Sequence, residues 1–171
     1  GTKVMDTFVP NSDATVSYKL NQAGAILMGK LQMHELAFGP SSENPHYGPA
    51  HNPWNIECVT GGSSGGSGSS VSSGQCMGAL GTDTGGSVRI PSSLCGIVGL
   101  KPTFGRVSRR GVYPLSSSLD TVGPMARTVQ DVAIILGSIA GYDPQDHSSV
   151  NVGVSNYTAH LGDGVKGLRI G

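Results

Sequence analysis

Charge is what this sequence has least of. Charged side chains make up 13% of its 171 residues, where a typical soluble domain carries roughly 25%. Eleven Lys and Arg balance eleven Asp and Glu, so there is no net field to hold nucleic acid or an anionic membrane by counterion release. The expected partner is a small neutral molecule, with no direct contact to nucleic acid and none to a membrane. Long apolar runs are also missing. None approaches the roughly 18 to 20 residues of a membrane helix, and no basic start followed by an apolar stretch marks a signal peptide, so a soluble, cytoplasmic protein is expected. Cysteine is sparse: Cys58, Cys76 and Cys95 form neither a CxxC pair nor a dense scaffold, and they read as buried reduced thiols.

Small residues are abundant instead, with 27 glycines and 22 serines in a chain that is 37% apolar. That apolar share suffices for a core and excludes simple disorder. Both ends read as cuts. The first residue is Gly1 rather than Met, and Gly167-Leu168-Arg169-Ile170-Gly171 reads as a β-strand just beginning after a glycine turn. The chain is expected to be a single partial domain over residues 1–171, truncated at both ends.

Asp13 is placed as the N-cap of a helix running to about Ala23, with Gly24 as its stop. Ala25-Ile26-Leu27-Met28 reads as a short buried strand, and residues 40–56, with four prolines, as a long irregular loop. Between Glu57 and Lys101 the only charges are Asp83 and Arg89, which marks the centre of the molecule. Within it, residues 61–75 are 13 parts in 15 Gly or Ser. By composition this is a linker, but it joins no polar surfaces and carries no charge to keep it solvated, so it reads as a place of close backbone packing. Ile97-Val98-Gly99-Leu100 reads as another buried strand. The clearest helix spans residues 129–140, capped by Thr128 with Asp131 at the capping-box spacing, and stopped by Gly141. Strands alternating with helices, several without polar alternation, predict an α/β fold: a mixed β-sheet core covered by helices on both faces.

Two clusters place hydroxyls beside glycines: Gly61-Gly62-Ser63-Ser64-Gly65-Gly66-Ser67 and Asp83-Thr84-Gly85-Gly86-Ser87-Val88-Arg89. A serine nucleophile needs an exposed oxygen, a base, and backbone N–H groups aimed at the developing oxyanion. The second cluster supplies all but the base: residues 84–87 offer four successive amides in one turn, and Asp83 and Arg89 stand ready to pin its ends. A phosphate cradle is set aside because neither cluster carries the GK[ST] ending. A nucleophile elbow at Ser63, with Asp120 and His147 following, is set aside too. Residues 55–60 make a poor strand, and the GxSxG pattern arises easily by chance where Gly and Ser are so dense.

Taken together, the clusters resemble the amidase signature family. The resemblance rests on GGSSGGS at 61–67, GTDTGGSVRIP at 81–91, CGIVGLKPT at 95–103, GRVS at 105–108 and PLSSSLDTVGPMART at 114–128, with GAILMGKLQMHELAFG at 24–39 and NPW at 52–54 upstream. It spans almost the whole chain and includes the 24-residue spacing from Ser63 to Ser87. It implies the amidase signature fold, here incomplete, and a serine amidohydrolase without cofactor or metal. In it Ser87 is the nucleophile that forms an acyl-enzyme, and Ser63, after a cis peptide bond, shuttles the proton. Thr84, Gly85, Gly86 and Ser87 supply the oxyanion-hole amides, while Ala37 and Phe38 line the acyl pocket. The family's third member is a neutral lysine, expected upstream of Gly1; Lys30 belongs to another segment of the pattern and reads as structural. The resemblance leaves open a free amidase, possible as a homodimer, a glutaminase subunit of a tRNA-dependent amidotransferase with its partner subunits, and a non-catalytic truncated remnant.

The other polar residues have plainer expectations. His34 and Glu35 are placed on a short helix beside the substrate entrance. His46 and His51 read as solvated loop histidines without an acidic or thiol partner, not as a metal site. Lys101, Arg106, Arg109 and Arg110 read as a surface ion-pair network, and Cys95 as a packed small side chain.

Overall fold

The computed structural model describes residues 1–169. Its elements run in the order α1 (Thr15–Gln22), β1 (Glu43–Asn44), β2 (Gly48–Pro49), α2 (Gly65–Ser72), β3 (Gly78–Asp83), α3 (Arg89–Leu94), β4 (Val98–Gly99), β5 (Thr121–Ala126) and α4 (Val129–Ile139). β1 and β2 form a small hairpin within the proline-rich loop, and the central sheet has the order β3-β5-β4 with antiparallel ladders.

The sheet's two faces can be read from its register. Gly78 pairs with Ala126, Leu80 with Pro124 and Thr82 with Val122, so even-numbered residues of β3 and β5 share one face. On that face a Cβ at Gly78 would press on Ile135 of α4, and Val122 joins Val16, Val107, Leu136, Ile139 and Ala140 in the apolar core. On the odd face a Cβ at Gly81 would meet Ser64, just before α2, and Val88, just before α3. Helices therefore cover both faces, and all six residues of β5 are buried. This is the α/β layering expected from the sequence, although the ladders among the described residues are all antiparallel where a mixed sheet was expected.

α4 follows its pattern: the Thr128 hydroxyl accepts from the Asp131 N–H (3.1 Å), and Val132, Ala133, Leu136 and Ile139 are buried. Lys19 of α1 donates to the Ala140 and Ile139 carbonyls (2.8 and 3.3 Å) at the end of α4, where the helix dipole favours a cation. α1 starts one residue later than expected, with Ala14 rather than Asp13 at the N-cap and no side-chain bond. It ends as expected at Gly24 (φ 84), where N–H bonds from Gly24 to Asn21 and from Ala25 to Leu20 close a Schellman motif.

The glycine-serine run is not a linker. Residues 65–72 form α2 with six of eight residues buried, although Gly and Ser are poor helix formers. Tertiary packing overrides propensity here, because the absence of side chains lets backbones touch. The Gly66 N–H donates to the Gln32 carbonyl at 2.8 Å, and a Cβ on Gly66 would collide with the Gln32 backbone. Gly66→Ala is therefore expected to lower stability by about 1–3 kcal/mol through overpacking. Gly137→Ala, within α4 with nothing within 4 Å of the new Cβ, is expected to raise it by about 0.5–1 kcal/mol. Urea unfolding of the two variants, made in the full gene product, checks the opposite signs.

Three sequence expectations fail in the fold. Residues 25–28 form no strand and pair with none of the described strands, which leaves Ile26 and Met28 exposed. The thiols are unpaired but not all buried: Cys58 is exposed, Cys76 half-buried and Cys95 buried. β4 is a two-residue, half-buried strand rather than a buried four-residue one. The strand expected over residues 167–171 falls partly on Ile170 and Gly171, outside the described residues; Gly167 lies in a turn, with no regular structure at 168–169.

Candidate active site

β3 carries the chain to Asp83 at the edge of the core, and the turn 84–88 then leads directly into α3. Asp83 is fully buried and organises the far half of this turn. Its Oδ1 accepts from the Gly86 N–H (2.8 Å) and from Arg89 Nη2 (2.9 Å); its Oδ2 accepts from the N–H groups of Val88 (3.2 Å) and Arg89 (3.3 Å) and from Arg89 Nε (3.0 Å). Burial pushes the Asp83 carboxyl up, but the Arg89 guanidinium and the Val88 and Arg89 amides outweigh it and hold the group below the usual carboxylate range. The same pairing raises Arg89. The near half is tied elsewhere: the Thr84 hydroxyl donates to Asp120 Oδ1 at 2.5 Å.

One amide departs from expectation. The Gly86 N–H donates to Asp83 Oδ1, so it is not free for an oxyanion as the four-amide expectation requires. The N–H groups of Thr84, Gly85 and Ser87 donate to no group among the described residues. Gly86 serves the turn differently, through a φ of 135° open to glycine and a position against the Ile90 side chain that leaves no room for a Cβ.

The first cluster meets this turn. The Ser64 N–H donates to the Ser87 carbonyl (3.2 Å) and its hydroxyl to the Thr82 carbonyl (3.4 Å), and the Gly62–Ser63 peptide is cis. Ser63 is held from behind, where its carbonyl accepts from the His34 N–H and the Ser42 hydroxyl, both at 3.0 Å, while Ser42 Oγ also accepts from the Gly65 N–H (3.0 Å). Ser63 is 1% exposed, and its hydroxyl has no hydrogen-bond partner among the described residues. A buried hydroxyl without a partner costs about 1–3 kcal/mol, and such groups are rare in folded proteins. Ser87 is half-buried, and its Oγ takes part in no hydrogen bond among the described residues. Two hydroxyls free of structural duty thus stand on loops that are bonded to each other.

The segment bracing Ser63 is strained. Leu36 (φ 54), Ala37 (φ 60) and Ser42 (φ 61) all occupy the left-handed region without being glycine, a conformation that clusters at functional sites. Ala37 is buried and Phe38 is 75% exposed, and neither borders the hollow beside the turn or the one beyond Asp120. His34 is a brace: its Nδ1 accepts from the Ser42 N–H (3.1 Å), and its ring occupies the space beside Gly39. Glu35 begins a short 3-10 turn and accepts from the Thr2 hydroxyl (2.7 Å) and His46 (2.8 Å). Those bonds, Thr2 foremost, lower its pKa. The expectation that His46 lacks an acidic partner is therefore corrected. Glu35, eleven residues earlier in the chain, reaches it across the loop.

The remaining sequence candidates fall away from the turn. No lysine bonds to Ser63 or Ser87 among the described residues, and Lys30 is exposed. Asp120 is buried but engaged by Thr84 and by the Leu115 and Ser116 N–H groups, so it is not available to a triad with Ser63 and His147. Among the described residues the basic cluster forms no ion pair. Arg109 stacks on Phe104 (4.7 Å) and bonds Ser148 and the Ser116 carbonyl, while Arg106 bonds Tyr157 and the Val152 carbonyl. These arginines fasten later segments of the chain to the core. Cys95 is packed as expected, its thiol against the Thr60 carbonyl, and burial raises its pKa. An open hollow of about 390 Å³ adjoins the turn, lined by Gly85, Gly86, Arg89, Ile90, Ser93 and Leu94. A second, of about 440 Å³, lies beyond Asp120 and includes neither Ser63 nor Ser87 in its lining.

Ser42, the bracing role of His34 and the anchoring role of Asp120 were not foreseen from the sequence. The Ser-Leu-Asp run at 118–120 carried a signal for the last, since a carboxylate that leads directly into an apolar strand must find donors.

Comparison with known proteins matches residues 1–171 to the family model named Amidase. A glutamyl-tRNA(Gln) amidotransferase subunit from Geobacter sp. (strain M21) is 53% identical over 171 residues, which are 100% of this chain and 35% of that protein. The crystal structure of the corresponding glutamyl-tRNA(Gln) amidotransferase subunit from Thermotoga maritima superposes with a TM-score of 0.94 at 45% identity, covering 97% of this chain and 36% of that one. 6-Aminohexanoate cyclic dimer hydrolase complexed with substrate gives a TM-score of 0.83 at 35% identity, covering 89% and 32%. The chain thus spans about a third of the length of the curated relatives it matches.

Proposed function

Because this chain belongs to the amidase family, we propose that it carries the serine machinery of a carboxamide hydrolase, with Ser87 as nucleophile and Ser63 as proton relay. Ser87 Oγ attacks the carbonyl carbon of a small-molecule amide. Its proton passes to Ser63 and on to the leaving nitrogen, the C–N bond breaks, ammonia departs and an acyl-serine ester remains. Water then adds to the ester and releases the carboxylate, regenerating Ser87. The N–H groups of Thr84, Gly85 and Ser87 receive the oxyanion in both halves, and Ala37 borders the acyl group. The base that deprotonates Ser63 is a neutral lysine outside residues 1–171, and the whole segment 1–171 serves one amidase domain of the longer protein.

The observation that carries this reading is the Ser63 hydroxyl, buried without a partner and joined through Ser64 to the Ser87 turn. Ser63→Ala in the full gene product is expected to slow turnover by about 10²- to 10⁴-fold, the range for loss of a proton-transfer group. Stability should fall by no more than about 0.5–1.5 kcal/mol, the worth of one hydrogen bond to the lysine base, since the hydroxyl makes no bond among the described residues. A fall in melting temperature with unchanged turnover would assign Ser63 to the fold instead.

A second reading of the same chemistry is a glutaminase that passes its ammonia to partner subunits. It is favoured by relatives at 53–55% identity that are named as amidotransferase subunits. Ammonia release from glutamine and from simple aliphatic and aryl amides, with and without partner subunits, separates the two: stimulation of glutamine hydrolysis by partners selects the glutaminase. Absence of release from every amide, with the fold intact, would select a non-catalytic remnant. We place the protein in the cytoplasm, in keeping with three cysteines that are all unpaired.

A further inference from the structure

We infer that Asp120 is a positioning residue for the 84–88 turn and that it acts through the Thr84 hydroxyl, an inference that rests on the acyl-transfer reading above and deepens it. The last ladder pair of β3 and β5 joins Asp83 to Thr121, so Thr84 and Asp120 face each other one step beyond the ladder. There the Thr84 hydroxyl donates to Asp120 Oδ1 at 2.5 Å, and Asp120 Oδ2 accepts from the N–H groups of Leu115 (2.8 Å) and Ser116 (2.9 Å). Asp120 is 5% exposed, and no Lys, Arg or His forms an ion pair with it among the described residues. A carboxylate buried on neutral donors alone is costly to the fold.

The turn shows what that group does. Asp83 grips the far half through Gly86, Val88 and Arg89. The near half has no other handle, because Gly85 carries no side chain and nothing lies within 4 Å of where its Cβ would be. Two buried carboxylates therefore clamp the turn from its two ends, and the amides of Thr84 and Gly85 keep their direction only while Thr84 is held. An oxyanion site depends on donors whose positions are fixed before reaction, and misplacement by about 1 Å costs about 10²-fold in rate.

The test uses Thr84→Val, which deletes the hydroxyl at nearly constant shape, and Thr84→Ser, which keeps it, both in the full gene product. Two readouts are taken: the rate of covalent labelling by a fluorophosphonate, and hydrogen exchange of the peptide covering residues 84–87. Thr84→Val is expected to slow labelling by about 10- to 100-fold and to quicken exchange, while Thr84→Ser restores both toward wild type. Equal labelling and exchange in all three proteins would overturn the inference. So would a Thr84→Ser variant as impaired as Thr84→Val, since the side chain's packing rather than its hydroxyl would then matter. If wild type takes no label yet exchange quickens in Thr84→Val alone, the clamp stands and the acyl-transfer reading fails.

Discussion

Ser87→Ala is expected to abolish carboxamide hydrolysis, lowering turnover by at least about 10⁴-fold, while leaving the protein folded. The two halves of this expectation come from different observations. The Ser87 hydroxyl takes part in no hydrogen bond among the described residues, so its loss should change stability by no more than about 0.5 kcal/mol. The Ser87 backbone does the structural work, with its carbonyl accepting the Ser64 N–H at 3.2 Å, and alanine keeps that bond. A residual rate over water from the remaining amides is compatible with this reading. Ammonia release and a thermal melt on the same preparation check both halves, and a Ser87→Ala protein with wild-type turnover would remove Ser87 from the mechanism.

Asp83→Asn is expected to damage both the fold and the site. The amide keeps one acceptor, but its NH₂ is turned against the Val88 and Arg89 N–H groups that now donate to Oδ2. Breaking a buried pair by neutralising one partner costs about 3–5 kcal/mol. The Arg89 side chain is 53% exposed and regains water when released, which puts the expected loss near the low end, about 3 kcal/mol. Turnover should fall as well, since the Gly86 and Val88 amides that shape the turn lose their anchor. The sign of the pH dependence follows from the lowered Asp83 pKa. The stabilisation is fully present above the ordinary carboxylate range near pH 4 and disappears as pH falls through the lower folded value. Asp143 and Asp146 are shifted in the same direction, so wild type and variant both lose stability in acid. The difference between their curves isolates Asp83: it should shrink on acidification below about pH 4, and a difference constant with pH would show that the carboxylate charge does not hold the turn.

What could be read from the chain and what could not divides along sequence distance. α4 was legible because its cap, its apolar face and its stop lie within fourteen consecutive residues. The Asp83–Arg89 link was legible for the same reason, six residues apart. α2 was legible only in part: the lack of charge argued that residues 61–75 are packed rather than solvated, but helix could not be read from residues with so little helix propensity. What makes them helical is contact with Gln32, Ser42, Pro91 and Cys95, each distant in the chain. The same holds for Glu35 with His46, for Thr84 with Asp120, and for the arginines that bond Tyr157 and Ser148 rather than acidic partners. The Gly86 amide shows a different limit. Its residue type fits an oxyanion turn, but the direction of one N–H depends on which of two nearby acceptors claims it, and Asp83 is already present in the folded protein.

The most direct test of the central claim is to treat the full gene product with a fluorophosphonate and map the adduct by peptide mass spectrometry. A single adduct on Ser87 is expected, lost in Ser87→Ala and slowed in Ser63→Ala. An adduct on another residue, or none on a folded wild-type protein, would contradict it.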